Sequence, residues 1–110
     1  MNVSVKEYDA IMAVMNTYMK GANKNGAETK KAFHKNALVN AEPAQVLFDT
    51  IDQLGETNGV GRVDILDVVG DMACARVTLE NWHGKNYVDF HQLRKSEDGW
   101  KIVSKMYTEV

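Results

Sequence analysis

The chain has a single cysteine, Cys74, and a single proline, Pro43. One cysteine rules out an internal disulfide and a cysteine-based metal cage within one chain, so the fold must be held by packing. With no Pro-rich or Ser-rich linker at which to divide the 110 residues, one domain covering residues 1–110 is expected. No apolar run approaches the roughly 20 residues that span a bilayer, and MNVSVKEYDA lacks the basic-then-apolar order of a secretion signal. A cytoplasmic protein with no membrane partner is expected. Charge of one sign is lacking too: 13 Lys and Arg face 15 Asp and Glu, leaving no surplus to neutralise a run of phosphates, and nucleic acid is not an expected partner. The three histidines fall on different segments without helical spacing, which makes no metal site. GVGRV leads into a strand rather than into the helix a phosphate loop needs. Neither a metal nor a cofactor is therefore expected.

Hydrophobic residues make up 45% of the chain, enough for one core, and their spacing changes along the sequence. From Ser4 to Ala22, Tyr8, Ile11, Met12, Met15, Tyr18, Met19 and Ala22 recur at three and four, which predicts a helix with one apolar face. Ser4 and Glu7 have capping-box spacing at its start. Gly21 and Asn25–Gly26 interrupt the pattern, and Ala27–Phe33 is read as a short second helix with His34 capping its end. A third helix begins after Pro43, carrying Val46, Leu47, Phe48, Ile51 and Leu54 and ended by Gly55. The Met12, Met15 and Met19 stripe is read as core filling.

After Gly61 the period falls to two. Arg62–Val69, Met72–Trp82, Lys85–Lys95 and Trp100–Thr108 read as strands, and the short connections between them force antiparallel pairing. Helices first and strands afterwards is the order of an α+β fold with helices gathered on a mainly antiparallel sheet. A two-residue turn at His83–Gly84 places Glu80 opposite Tyr87, Thr78 opposite Asp89 and Arg76 opposite His91. A three-residue loop at Glu97–Gly99 places His91 opposite Lys105 and Asp89 opposite Tyr107. In this register one face is mixed, with Arg76, Thr78, Glu80, Trp82, Tyr87, Asp89, His91, Lys105 and Tyr107. The other is apolar, with Ala73, Ala75, Val77, Leu79, Val88, Phe90, Trp100, Ile102 and Met106. The apolar face needs a cover, either helices or a second subunit. The pattern leaves open whether the mixed face is solvated or walls a pocket.

The stretch GDMACARVTLENWHGKNYVDFHQLRKSEDGWKIVSKMY resembles the C-terminal half of the putative lumazine-binding family in the nuclear transport factor 2-like superfamily, through Trp82, Gly84, Tyr87, Asp89, Gly99, Trp100 and Lys105. YMKGANKNGAETKKAFHKNA resembles that family's first two helices, with Tyr18, Gly21, Phe33 and Ala37 in matching places. The chain departs from the pattern at Leu38–Glu42, where the usual strand and loop look abbreviated. The resemblance implies three helices wrapped on a strongly curved sheet, a cone with an internal pocket, and a homodimer. It implies little about activity, since such cones include isomerases, dehydratases, cyclases and non-catalytic modules.

Asp89 and His91 share a strand face, where a carboxylate and an imidazole can act as acid and base once burial and charge tune them. The alternative is a structural ion pair on a solvated strand. Lys105 can neutralise Asp89 or hold an anionic group, and Trp82, Tyr87 and Tyr107 can stack on a flat ligand or simply pack. His83 is placed in an exposed turn, and Cys74 is read as a buried inert thiol. Three functions follow. The first is a small-molecule-binding protein with an apolar or aromatic ligand against Trp82, Tyr87, Asp89, His91, Lys105 and Tyr107. The second is a cofactor-independent isomerase, dehydratase or cyclase using Asp89 or His91. The third is a non-catalytic module dimerising through the sheet.

Overall fold

A computed structural model describes residues 3–110. Helix α1 (Val5–Ala22) turns through Asn23–Asn25 into α2 (Gly26–Lys30), then come β1 (Phe33–Val39), β2 (Glu42–Pro43) and α3 (Gln45–Leu54). The chain ends in four long strands, β3 (Val60–Val69), β4 (Met72–Trp82), β5 (Lys85–Ser96) and β6 (Gly99–Glu109). All six strands form one sheet in the order β2-β1-β6-β5-β4-β3, antiparallel except for the β1–β6 pair. The result is the α+β cone, with three helices laid across the concave face of a curved, mainly antiparallel sheet.

Helix α1 forms where its period predicts. The Ser4 hydroxyl accepts the Glu7 backbone N–H at 3.2 Å, but only half of the capping box closes. The Glu7 carboxylate leaves the helix to bind Lys95 Nζ and Trp100 Nε1, each at 2.7 Å, and ties the helix start to the sheet. Ile11, Met15, Tyr18 and Ala22 are buried on the sheet side, and Met12 and Met19 are half-buried beside them. Burying side chains of that size removes water from apolar surface worth about 1.5–3 kcal/mol apiece.

The second helix is shorter than its sequence pattern suggests. It stops at Lys30, and Phe33 begins a strand, because β6 offers β1 a parallel ladder that outweighs local propensity. His34 therefore lies on β1, accepting the Asn36 N–H at Nδ1, and caps no helix. Leu38–Glu42, where the chain departs from the family pattern, is the end of β1, a tight turn and the start of β2. A two-residue reversal, Asn40–Ala41 with φ of 48° and 65°, folds β1 back onto β2, and Leu38 pairs with Pro43.

The face assignment derived from turn chemistry needs correction on β4. The His83–Gly84 turn does pair Trp82 with Lys85, but a bulge at Glu80–Asn81, with Asn81 at φ 58°, slips the rest of the strand by one. Leu79 lies opposite Tyr87, Val77 opposite Asp89 and Ala75 opposite His91. A one-residue slip reverses every side chain before the bulge, so Arg76, Thr78 and Glu80 point away from the helices while Ala73, Ala75, Val77 and Leu79 point into the core. On β6 the expected pairs His91–Lys105 and Asp89–Tyr107 do occur, by another route. The turn is Glu97–Asp98, with Ser96 paired to Gly99, and a bulge near Val103 restores the register. That bulge puts Trp100, Ile102, Lys105 and Tyr107 on the concave side and Met106 on the convex side. The expected wholly apolar face therefore divides. Six of its members pack under the helices, while Val88, Phe90 and Met106 face outward, the last two at 54% and 61% exposure.

Candidate ligand site

The two bulges bring the polar residues of β5 and β6 beneath α1, into a core that is otherwise apolar. Asp89, His91 and Lys105 are each at most 5% exposed, and Tyr18 of α1 descends on them. The Tyr18 hydroxyl donates to Asp89 Oδ2 at 2.7 Å, and His91 Nε2 approaches the same oxygen at 3.3 Å. Lys105 Nζ stands 3.8 Å from it, above the rings of Tyr18 and Tyr107 at 4.9 and 4.8 Å from their centroids. Such placement is favourable for an ammonium, since the ring faces carry negative potential. The His91 ring packs edge-on against Tyr18 with centroids 4.7 Å apart.

Burial pulls each group toward its neutral form, and the neighbours decide how far. For Asp89 burial pushes the carboxyl up, but Lys105, His91 and the Tyr18 hydroxyl outweigh it and hold the carboxyl below its ordinary value. Burial lowers His91, with Lys105 adding to the effect and Asp89 opposing it. Burial also lowers Lys105 against the pull of Asp89. Tyr18 is driven well above the usual phenol value by burial and by the adjacent carboxylate, so it remains a proton donor to Asp89. The imidazole is thus neutral at pH 7, a donor at Nε2, and its Nδ1 is buried with no partner among the described residues.

A cavity of about 150 Å³ opens beside this cluster, between the concave face and α3. Asp89, Lys105 and Tyr18 form its polar end, Leu79 and Tyr87 its floor, and Leu47, Thr50, Ile51 and Leu54 of α3 its roof. Trp82 and Tyr107 also line it. Trp82 is steadied by an Nε1–H bond to the Ala22 carbonyl at 2.9 Å. Engineered apolar cavities of similar volume accept one benzene ring.

Of the residues singled out from sequence, Trp82, Tyr87, Asp89, Lys105 and Tyr107 come together on the wall. His91 does not reach the cavity and touches it only through Asp89. His83 is half-buried, packed edge-on against Trp82 rather than exposed. Cys74 is half-buried on the convex side, not fully buried. Sequence reasoning missed Tyr18 and the α3 roof. Tyr18 looked like one more member of an apolar stripe; the available signal was its hydroxyl, which a buried tyrosine must pair. Among the described residues no group of three His, Cys, Asp or Glu side chains is placed to hold a metal ion.

The chain is similar to known proteins along nearly its whole length. A family described as putative lumazine-binding matches residues 6–108. An NTF2-like protein of unknown function from Methylobacillus flagellatus superposes with a TM-score of 0.92 at 34% identity, over 99% of this chain and 96% of that one. Another from Shewanella baltica gives 0.86 at 30% identity, over 100% and 98%. Aldolase FrzH of a Cladobotryum species is 26% identical over 96% of this chain and 94% of that protein. With a family match running from the first helix almost to the last residue, the chain belongs to the putative lumazine-binding family, within the nuclear transport factor 2-like proteins.

Proposed function

We propose that this protein binds a small, flat, largely aromatic molecule in the cavity between the sheet and α3. The observation that carries the reading is an apolar chamber of about 150 Å³ closed at one end by Asp89 and Lys105. Apolar walls with a few convergent polar groups are the usual make-up of a ligand site. Asp89 Oδ2 is occupied by Tyr18 and His91, while Oδ1 takes no bond among the described residues. A ligand N–H or O–H would fill that acceptor, and Lys105 would meet a carbonyl or anionic group. Thermal-shift measurements with single-ring and two-ring aromatic compounds test this. Binding to the folded chain alone raises the melting temperature with ligand concentration, and no compound doing so would end the proposal.

A second reading is an enzyme without cofactor that uses Asp89 as acid or base, with His91 and Tyr18 positioning it. It is favoured by the burial of that triad and by the near full-length likeness to an aldolase. The proposed homodimer would meet at the convex face, where Phe90 and Met106 are cross-strand partners and both exposed. The unpaired thiol of Cys74 accords with the proposed cytoplasmic location.

A further inference from the structure

Lys105 is more than a counterion. Its side chain is 6% exposed, it lines the cavity, and among the described residues its Nζ makes no hydrogen bond. Three N–H donors without an acceptor are an expensive arrangement in an apolar setting. The nearest anionic atom, Asp89 Oδ2, is at 3.8 Å and already serves Tyr18 and His91. The other neighbours are the Tyr18 and Tyr107 rings. An amine so placed, largely buried against aromatic rings at a cavity wall, is equipped to act as a nucleophile rather than only as a charge.

We propose that Lys105 forms an imine with an aldehyde or ketone bound in the cavity, so that the ligand class of this site is a small apolar or aromatic carbonyl compound. The proposal rests on the cavity being the ligand site, as argued above. Lys105 first loses its ammonium proton to water. The free amine then attacks the carbonyl carbon, forming the C–N bond, and the proton shed by nitrogen passes to the former carbonyl oxygen. A proton taken back from water goes to the resulting hydroxyl, which leaves as water. What remains is an iminium on Nζ facing the Asp89 carboxylate, which stays ionised and stabilises that charge, with one carbonyl compound and one ammonium consumed and one water released.

Burial and the apolar walls lower the Lys105 amine from its ordinary value, and each unit of such lowering raises the reactive free-base fraction at neutral pH by about tenfold. The other nine lysines of the chain supply an internal comparison. The experiment treats the whole protein with benzaldehyde and sodium cyanoborohydride at neutral pH and maps benzylated lysines by peptide mass spectrometry. Benzyl alcohol, which has the ring but no carbonyl, is titrated in parallel by NMR and added as a competitor. The expected result is labelling of Lys105 faster than of any other lysine, suppressed by benzyl alcohol. If benzyl alcohol binds in the cavity but Lys105 labels no faster than the other lysines, the imine proposal is overturned while the cavity remains a ligand site. If benzyl alcohol does not bind and Lys105 is not labelled, both fall.

Discussion

Tyr18 and Asp89, 71 positions apart in sequence, are joined by a 2.7 Å hydrogen bond that fixes α1 to the centre of the sheet. The bond is charge-assisted and buried, so its loss leaves a carboxylate short of a donor in a dry site. Tyr18→Phe is expected to cost about 1–3 kcal/mol. Urea denaturation should show the midpoint falling with an unchanged slope.

Asp89→Asn probes the other side of the cluster. It keeps an acceptor for Tyr18 but strips Lys105 of its opposing charge. Removing one partner of a buried pair leaves the other uncompensated, and about 3 kcal/mol of destabilisation is expected. Asp89→Asn combined with Lys105→Met should recover part of the loss, because neither buried charge remains. A double variant no more stable than Asp89→Asn would show that the two charges do not act as a pair.

Acid should weaken the fold in two stages. His91 and Asp89 both have folded values below their ordinary ones, so the unfolded chain binds the extra protons as pH falls. Stability is lost first below about pH 6.5 through His91, and again below about pH 3.9 through Asp89. Lys105 is lowered as well, so its contribution makes the fold more stable as pH rises toward about 10.4. Comparing urea midpoints at about pH 7.5 and about pH 5.5, His91→Gln should flatten the difference seen in the wild-type chain. An equal slope in the variant would contradict the assignment.

Gly21 is a packing requirement. A Cβ there would run into the Thr29 backbone where α1 crosses α2. Gly21→Ala should therefore destabilise by about 1–3 kcal/mol despite the better helix propensity of alanine. Thermal unfolding followed by circular dichroism measures it.

The boundaries of α1 and α3 and the existence of four long strands were legible because apolar spacing reports which face is buried. Strand β1 was not, since Phe33–Val39 becomes extended only through its ladder with β6, a contact distant in sequence. The mixed face was half legible. Tyr87, Asp89, Lys105 and Tyr107 do lie together, but Arg76, Thr78 and Glu80 do not. The reason is the bulge at Glu80–Asn81, which inserts one residue without any glycine to mark it. The roof of the cavity was hidden because Leu47, Ile51 and Leu54 have the spacing of ordinary core residues, and nothing in that spacing separates a wall from a filled interior.

The central claim is that the chamber ended by Asp89 and Lys105 receives an aromatic ligand. An NMR titration of the whole protein with benzyl alcohol tests it directly. Saturable shifts are predicted at Leu79, Tyr87, Ile51 and Tyr107, and they should be abolished by Leu54→Trp, which places a bulky ring at the partly exposed edge of the chamber. Shifts that do not saturate, that centre on the convex face, or that survive Leu54→Trp unchanged would contradict the claim.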